Sequence, residues 1–410
     1  MDMKWPEPNM DFYKKATDPF NEIEVQNSGV LEDDFFRYAN NFYEAALVII
    51  NKLIGSESKH TGIAQLDLWY FALIYLYRQS LELMLKANIF DLVKSEQDRK
   101  DILSVVRHDV GAAFDKLIEV TGIDISNNDN AKWLQQFLND ISKIDRESDM
   151  FRYPFGSNLR VLFERQTQIS LVATYCNFGR AFDILKQFYN TKQFTTEKYE
   201  KEYEPKLIVE GGEYYQSSVV GYKYHSRSFH PYYTSYEECA NYLAEVIKDE
   251  FKDHLFMPMC YLYRNAIELG LKRIIIEDSS TIDTEKALKI CKKKKHSILG
   301  LYNSIKPELD AHDNGTDTTL VDVDKYINSF HNIDTTSDKF RYPCDNDLNT
   351  HFKDKTELDI DNVASCFEGL INFLDGVSHM LSVEKEIKAE MEAEYASEMA
   401  NAYSGDSVTF

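Results

Sequence analysis

The chain has 410 residues, of which 46 are basic and 68 acidic, for a formal charge of −22. That balance excludes a protein that coats nucleic acid through a broadly positive surface, because binding phosphates at scale needs a positive field, although a small basic pocket is compatible with it. The length suits two or three domains, each large enough to bury its own core.

Residues 1–32, with Pro6, Pro8 and Pro19, read as an extended N-terminal arm, and no apolar signal core opens the chain. A first helix follows from Asp33, where an acidic start leads into Ala46-Leu47-Val48-Ile49-Ile50. Gly55 to Gly62 is a loop. The next helix, 63–93, is apolar on nearly every face, which predicts a central place in a bundle. Its apolar run from Leu68 to Tyr77 is about half of the roughly 20 residues that a membrane span needs, so no membrane partner is expected. After a charged connection, a third helix covers Val105 to Val120 and a fourth Ala131 to Ile144. A turn from Asp145 to Pro154 precedes a long last helix, 159–190, since Pro154 opposes helix continuation. In the linker 191–235, alternation on both sides of Gly211-Gly212 reads as a small β-hairpin. Helices then recur at 236–250, 253–277, 295–305, 320–332 and 356–382. The tail 383–410 reads as a further helix whose last eight residues look disordered.

That recurrence is written in the residues. Tyr75-Leu76-Tyr77-Arg78-x-x-Leu81-Glu82-Leu83-x-Leu85-Lys86 returns as Tyr261-Leu262-Tyr263-Arg264-x-x-Ile267-Glu268-Leu269-x-Leu271-Lys272. His108 has a counterpart in His296. Asp145-x-x-Ser148-Asp149-x-Phe151-Arg152-Tyr153-Pro154 matches Asp334-x-x-Ser337-Asp338-x-Phe340-Arg341-Tyr342-Pro343. Three collinear matches imply two copies of one domain, 33–190 and 236–382. The expected fold is therefore all-α, with two tandem up-and-down bundles of four to five helices and the small hairpin between them.

Each repeated motif has a structural and a chemical reading. Arg78, Glu82 and Lys86, like Arg264, Glu268 and Lys272, stand on one helix face. They form either a self-satisfied ladder of ion pairs or an arginine held by a carboxylate and aimed at a phosphate. His108 and His296 each open a helix, where an imidazole caps, packs, or serves as a general base near neutral pH. In the repeated turn, Arg152 and Arg341 either pair with a neighbouring Asp or line the same cleft as Arg78 and Arg264. The run Lys292 to Lys295 is a solvated helix entrance or steers an anion toward His296. His225 and His230 lack a third ligand for zinc, and the six scattered cysteines form no C-x-x-C pair, so reduced thiols in a cytoplasm are expected. No cofactor or metal is expected.

A helical bundle with Arg-(Gln/Asn)-x-x-Glu on a central helix, then His-(Asp/Ser)-(Val/Ile) and Phe-Arg-Tyr-Pro, resembles the HEPN superfamily over both copies. The resemblance implies bundles paired by a two-fold axis, here within one chain. It also implies a place in toxin–antitoxin, phage-defence or CRISPR systems, where many members are metal-independent ribonucleases. Their signature is an Arg, often followed by Asn, with a His four to six residues on. Arg78 and Arg264 match the arginine and Asn265 the polar residue after it, but Glu82 and Glu268 come four residues on and no His lies within six. The resemblance therefore implies either a nucleotide-, RNA- or protein-binding module without catalysis, or an endoribonuclease whose base comes from another helix. The residues it points to for catalysis are Arg78, Arg264, His108 and His296. For binding, the candidates read from the repeated motifs themselves are Glu82, Glu268, Lys86, Lys272, Asp149, Asp338, Arg152, Arg341, Tyr153 and Tyr342. Implied partners are RNA or a nucleotide, a protein encoded nearby, or further copies of the chain.

Overall fold

A computed structural model describes residues 4–8, 11–55, 62–156, 161, 163–222 and 228–405. The chain is all-α apart from two small antiparallel sheets of two strands each. A short strand β1 (Glu22–Val25) leads to α1 (Leu31–Ile54), α2 (Ile63–Leu68), α3 (Tyr70–Leu92), α4 (Glu96–Val106), α5 (Val110–Thr121) and α6 (Asp129–Ile144). Then come β2 (Thr167–Ser170), α7 (Leu171–Thr191) and β3 (Ser217–Val220). The rest is α8 (His230–Glu250), α9 (Phe256–Arg273), α10 (Thr284–Lys294), α11 (Ile298–His312), α12 (Thr319–Ile333), β4 (Thr356–Asp359) and α13 (Ile360–Gly405).

The two repeated helices are the centre of the molecule. Every residue of α3 from Tyr70 to Phe90 is buried, as is every residue of α9 from Phe256 to Lys272. A helix without a polar face has to be covered on all sides. Helix α3 is covered by α1, α5 and α7, and α9 by α8, α11 and α13. Each also touches the other half of the chain, α3 against α8 and α1 against α9. Among the described residues, one apolar core therefore runs through both halves, from Phe12 to Leu381.

Several elements depart from the expected bounds, each for a local reason. The charged connection before His108 is the helix α4, capped by Ser95, whose hydroxyl accepts from Asp98 N–H. Asp283 caps α10 in the same way through Lys286 N–H. The long helix 63–93 is two helices broken at Trp69. The last helix of the first half begins at Leu171, because β2 occupies the residues before it. Helix α13 runs unbroken from residue 360 into the tail. Residues 406–410, the end of the stretch expected to be disordered, lie outside the described residues.

The strands exchange between halves. β3, from the linker, pairs with β2, while Glu210 bridges Ile169 on β2 as well, so the Gly211-Gly212 segment wraps β2. β1, from the N-terminal arm, pairs with β4, far along the chain. The segment that precedes each half's first helix is thus a strand added to the other half. The arm is fastened further by Trp5, edge-on to Phe373, and by Phe12 among Phe330, Phe340 and Phe367.

Candidate functional site: two composite clusters

Arg78 is the hub of the first cluster. Its side chain is 1% exposed, and it donates from Nη1 to Glu82 Oε2 at 2.8 Å. Its Nε lies 3.1 Å from Asp145 Oδ2, and Nη2 donates to the carbonyls of His108 and Asp145. Arg264 repeats this with Glu268 Oε2 at 2.6 Å, Asp334 Oδ2 at 3.1 Å and the His296 carbonyl at 2.5 Å. Each guanidinium thus ties together its own helix, the loop before the next helix and the repeated turn. Asp145 and Asp334 extend the tie, since Asp145 Oδ1 accepts from the N–H groups of Asp149 and Met150, and Asp334 Oδ1 from those of Asp338 and Lys339. Both aspartates belong to the repeated motif, which was the available signal, yet nothing in their spacing linked them to the central helix.

The histidines stand on strained backbone. Arg107 and Lys295, immediately before them, have φ of 44° and 51°. Such values are unfavourable for a residue with a side chain, and the arginine bonds to the next carbonyl hold the bend in both halves. His108 Nδ1 is 3.2 Å from Glu82 Oε1, and His296 Nδ1 is 3.0 Å from Glu268 Oε1. Both imidazoles keep an exposed edge, at 31% and 32% of the side chain, and Nε2 engages no described group. Lys86 and Lys272 reach the same carboxylate oxygens at 2.7 and 2.8 Å.

The remaining member of each cluster comes from the other half. Tyr342 donates to Glu82 Oε1 at 2.6 Å and lies 3.2 Å from His108 Nδ1. Tyr153 donates to Glu268 Oε1 at 2.6 Å and lies 3.0 Å from His296 Nδ1. Lys86 sits 4.6 Å over the Tyr342 ring and Lys272 4.1 Å over that of Tyr153. Between the clusters, Tyr75 and Tyr261 stack at 4.7 Å, with Arg152 over Tyr75 and Arg341 over Tyr261. Arg152 also bonds Asp149 at 2.7 Å and Arg341 bonds Asp338 at 3.1 Å, so the turn arginines pair within their own turn and do not join Arg78 or Arg264. Tyr75 and Tyr261 open the repeated motif, and that shared position is the sequence signal for their place between the clusters.

Electrostatics follow from burial against charge. Burial by itself would raise the Glu82 carboxyl, but Lys86, His108 and Arg78 outweigh it and hold the group well below the usual carboxylate range. Glu268 is held low in the same way by Lys272, His296 and Arg264. Burial pushes His108 down despite Glu82, with Lys86 and Arg341 adding to it. At His296 the pull of Glu268 upward is overcome by burial together with Arg152 and Lys272. Both imidazoles are thus neutral near pH 7, oriented by a carboxylate and open at Nε2, which is the state of a hydrogen-bond acceptor or a general base.

Outside His108 lies a cavity of about 500 Å³, with Lys86, Lys100, Arg107 and His108 on its walls and Glu147, Asp338 and Asp345 facing them. Its far side is the segment Tyr342 to Asn346 of the second half. Cys344 lies on this wall, but burial pushes its thiol up to about 12, so it is no thiolate nucleophile. Beside His296, the side chains of Lys292 to Lys295 form no ion pair with a described residue. Among the described residues no group of three or more His, Cys, Asp or Glu is arranged to hold a metal ion, and no helix is long and apolar enough to cross a membrane. Comparison with protein-family models, curated proteins and solved structures finds no match to this chain.

Proposed function

We propose that the chain is a HEPN-like binding module of a bacterial defence or toxin-type system, which takes up a nucleotide, an RNA or a partner protein without cutting. The observation that carries this reading is the burial of Arg78 and Arg264. Each guanidinium is buried and held by two carboxylates and by the carbonyl of its histidine loop, so neither lies open to a phosphate. Their work is to hold the histidine loop and the turn, and the face left for a ligand is the rim of His108, Lys86 and Arg107 with its cavity.

A second reading, a metal-independent endoribonuclease, is favoured by the neutral, carboxylate-held histidines. In that case His108 and His296 act as bases, and charge on the phosphate falls to the basic residues before the histidines, Arg107 and Lys295, not to Arg78 and Arg264. Binding of labelled nucleotides and short RNAs to the full chain, beside His108→Ala/His296→Ala, tests the reading. Retention of a nucleotide or intact RNA by the parent, weakened in the variant, supports it. Indifference of both proteins to every nucleotide and RNA overturns the nucleic-acid form of the reading, and RNA cleavage by the parent alone overturns the non-catalytic form.

A further inference from the structure

Away from both clusters, a cavity of about 350 Å³ opens between α2, the start of α3, β3 and the start of α8. That size is at the small end of the range of about 300–1,000 Å³ in which small-molecule pockets fall. It does not follow from the duplication, since before α9 the place of α2 is taken by a single short turn, Asp253–Leu255. Its walls are mostly apolar, with Leu68, Phe71, Val161, Phe163, Val220 and Tyr232, and its two ionisable groups besides Tyr222 and Tyr232 are Asp67 and His230, whose Nδ1 lies 3.3 Å from the Thr234 hydroxyl. Phe71 and Tyr232 face one another at 4.1 Å, and Phe163 stands edge-on to Phe71 at 6.3 Å. Gly221, at φ 77°, lets the backbone close the wall, because a Cβ there would lie 2.2 Å from the Arg165 carbonyl.

One carboxylate stands in this wall. Asp67 Oδ1 accepts from Val219 N–H at 2.6 Å and Oδ2 from the Tyr222 hydroxyl at 3.0 Å. No described cation pairs with it. Burial, which the two hydrogen bonds only partly offset, pushes its carboxyl above the ordinary range. Each oxygen keeps a lone pair, and the aromatic walls around it attract positive charge through their faces.

We propose that this cavity binds a small organic monocation, an ammonium group carrying an aromatic or branched aliphatic body. The ammonium meets Asp67 at the mouth, and the apolar body lies against Phe71, Phe163 and Tyr232. An anion is repelled by Asp67, and a neutral alcohol of the same shape gains only the apolar part. This site is independent of the reading given to the two histidine clusters.

The test is calorimetric titration of the full chain at pH 7.5 with three probes of one shape: phenethylammonium, 2-phenylethanol and 3-phenylpropionate. The expected order is ammonium, then alcohol, then carboxylate, with at least about tenfold between the first two, the size of one charge-assisted hydrogen bond. Asp67→Asn keeps an acceptor for Val219 N–H and should bring the ammonium down to the alcohol. Ala64→Trp, at an exposed wall position, should abolish binding of all three while circular dichroism reports an unchanged fold. Equal affinity for the three probes, no binding of the ammonium, or an ammonium preference that survives Asp67→Asn would each overturn the proposal.

Discussion

Replacing Glu82 by Gln is the sharpest perturbation of the first cluster. The Glu82 side chain is 1% exposed and takes Arg78 at 2.8 Å, Lys86 at 2.7 Å and the Tyr342 hydroxyl at 2.6 Å. Arg78 keeps Asp145, but Lys86, 7% exposed, loses the carboxylate it is paired with. Breaking a buried pair by removing one partner costs about 3–5 kcal/mol, because a charge is left out of water without compensation. On a molecule whose whole stability is of the order of 5–15 kcal/mol, that is a large fraction. The assay is urea unfolding followed by circular dichroism, with the slope checked so that the midpoint reads as stability. Glu82→Gln/Lys86→Met removes the stranded charge and should recover half of the loss or more, a coupling that a double-mutant cycle isolates. If Glu82→Gln falls within about 0.5 kcal/mol of the parent, or if the double variant loses the sum of the two single losses, the hub as described is wrong.

The other predictions concern the contacts between halves and pH. Tyr153→Phe and Tyr342→Phe each remove one hydrogen bond to a buried carboxylate and should cost about 1.5–3 kcal/mol by the same unfolding assay; neutral variants would show that the crossing tyrosines do not hold the halves together. His108 and His296 have folded pKa values below that of the unfolded chain, so the unfolded state binds more protons as pH falls through about 6.5. Their contribution to stability is complete above that pH and lost below it, and His108→Gln/His296→Gln should flatten the slope of stability between pH 7 and 5. Glu237 has the opposite sense: burial, with Asp375 and Glu238 nearby, pushes its carboxyl up to about 7. The folded state then suffers as pH rises through 7, so Glu237→Gln should stabilise the chain at pH 8 and leave it unchanged near pH 4.

The duplication and the two central helices were readable because local order carries them. Arg78-x3-Glu82-x3-Lys86 shares a helix face whatever the fold, and a helix apolar on every side belongs at the centre. Helices α4 and α10 escaped because charge hides their periodicity, although Ser95 three residues before Asp98 and Asp283 three before Lys286 are helix-start geometry. The crossing of Tyr153 and Tyr342 was not readable. Two identical motifs offer each tyrosine two equivalent glutamates, and sequence cannot tell pairing within a half from pairing across. Exchange of β1 and β3 is hidden for the same reason, since strand partners are chosen by the packing of the halves. The burial of Arg78 and Arg264 depended on Asp145 and Asp334, 67 and 70 residues further along the chain.

The central claim is that the arginines are structural and that the module binds without cutting. Incubating the purified full chain with labelled total tRNA and mRNA in EDTA, beside His108→Ala/His296→Ala, tests it most directly. The account predicts intact RNA in both reactions over hours. Cleavage by the parent that disappears in the histidine variant would contradict it and identify a metal-independent ribonuclease built on the two composite clusters.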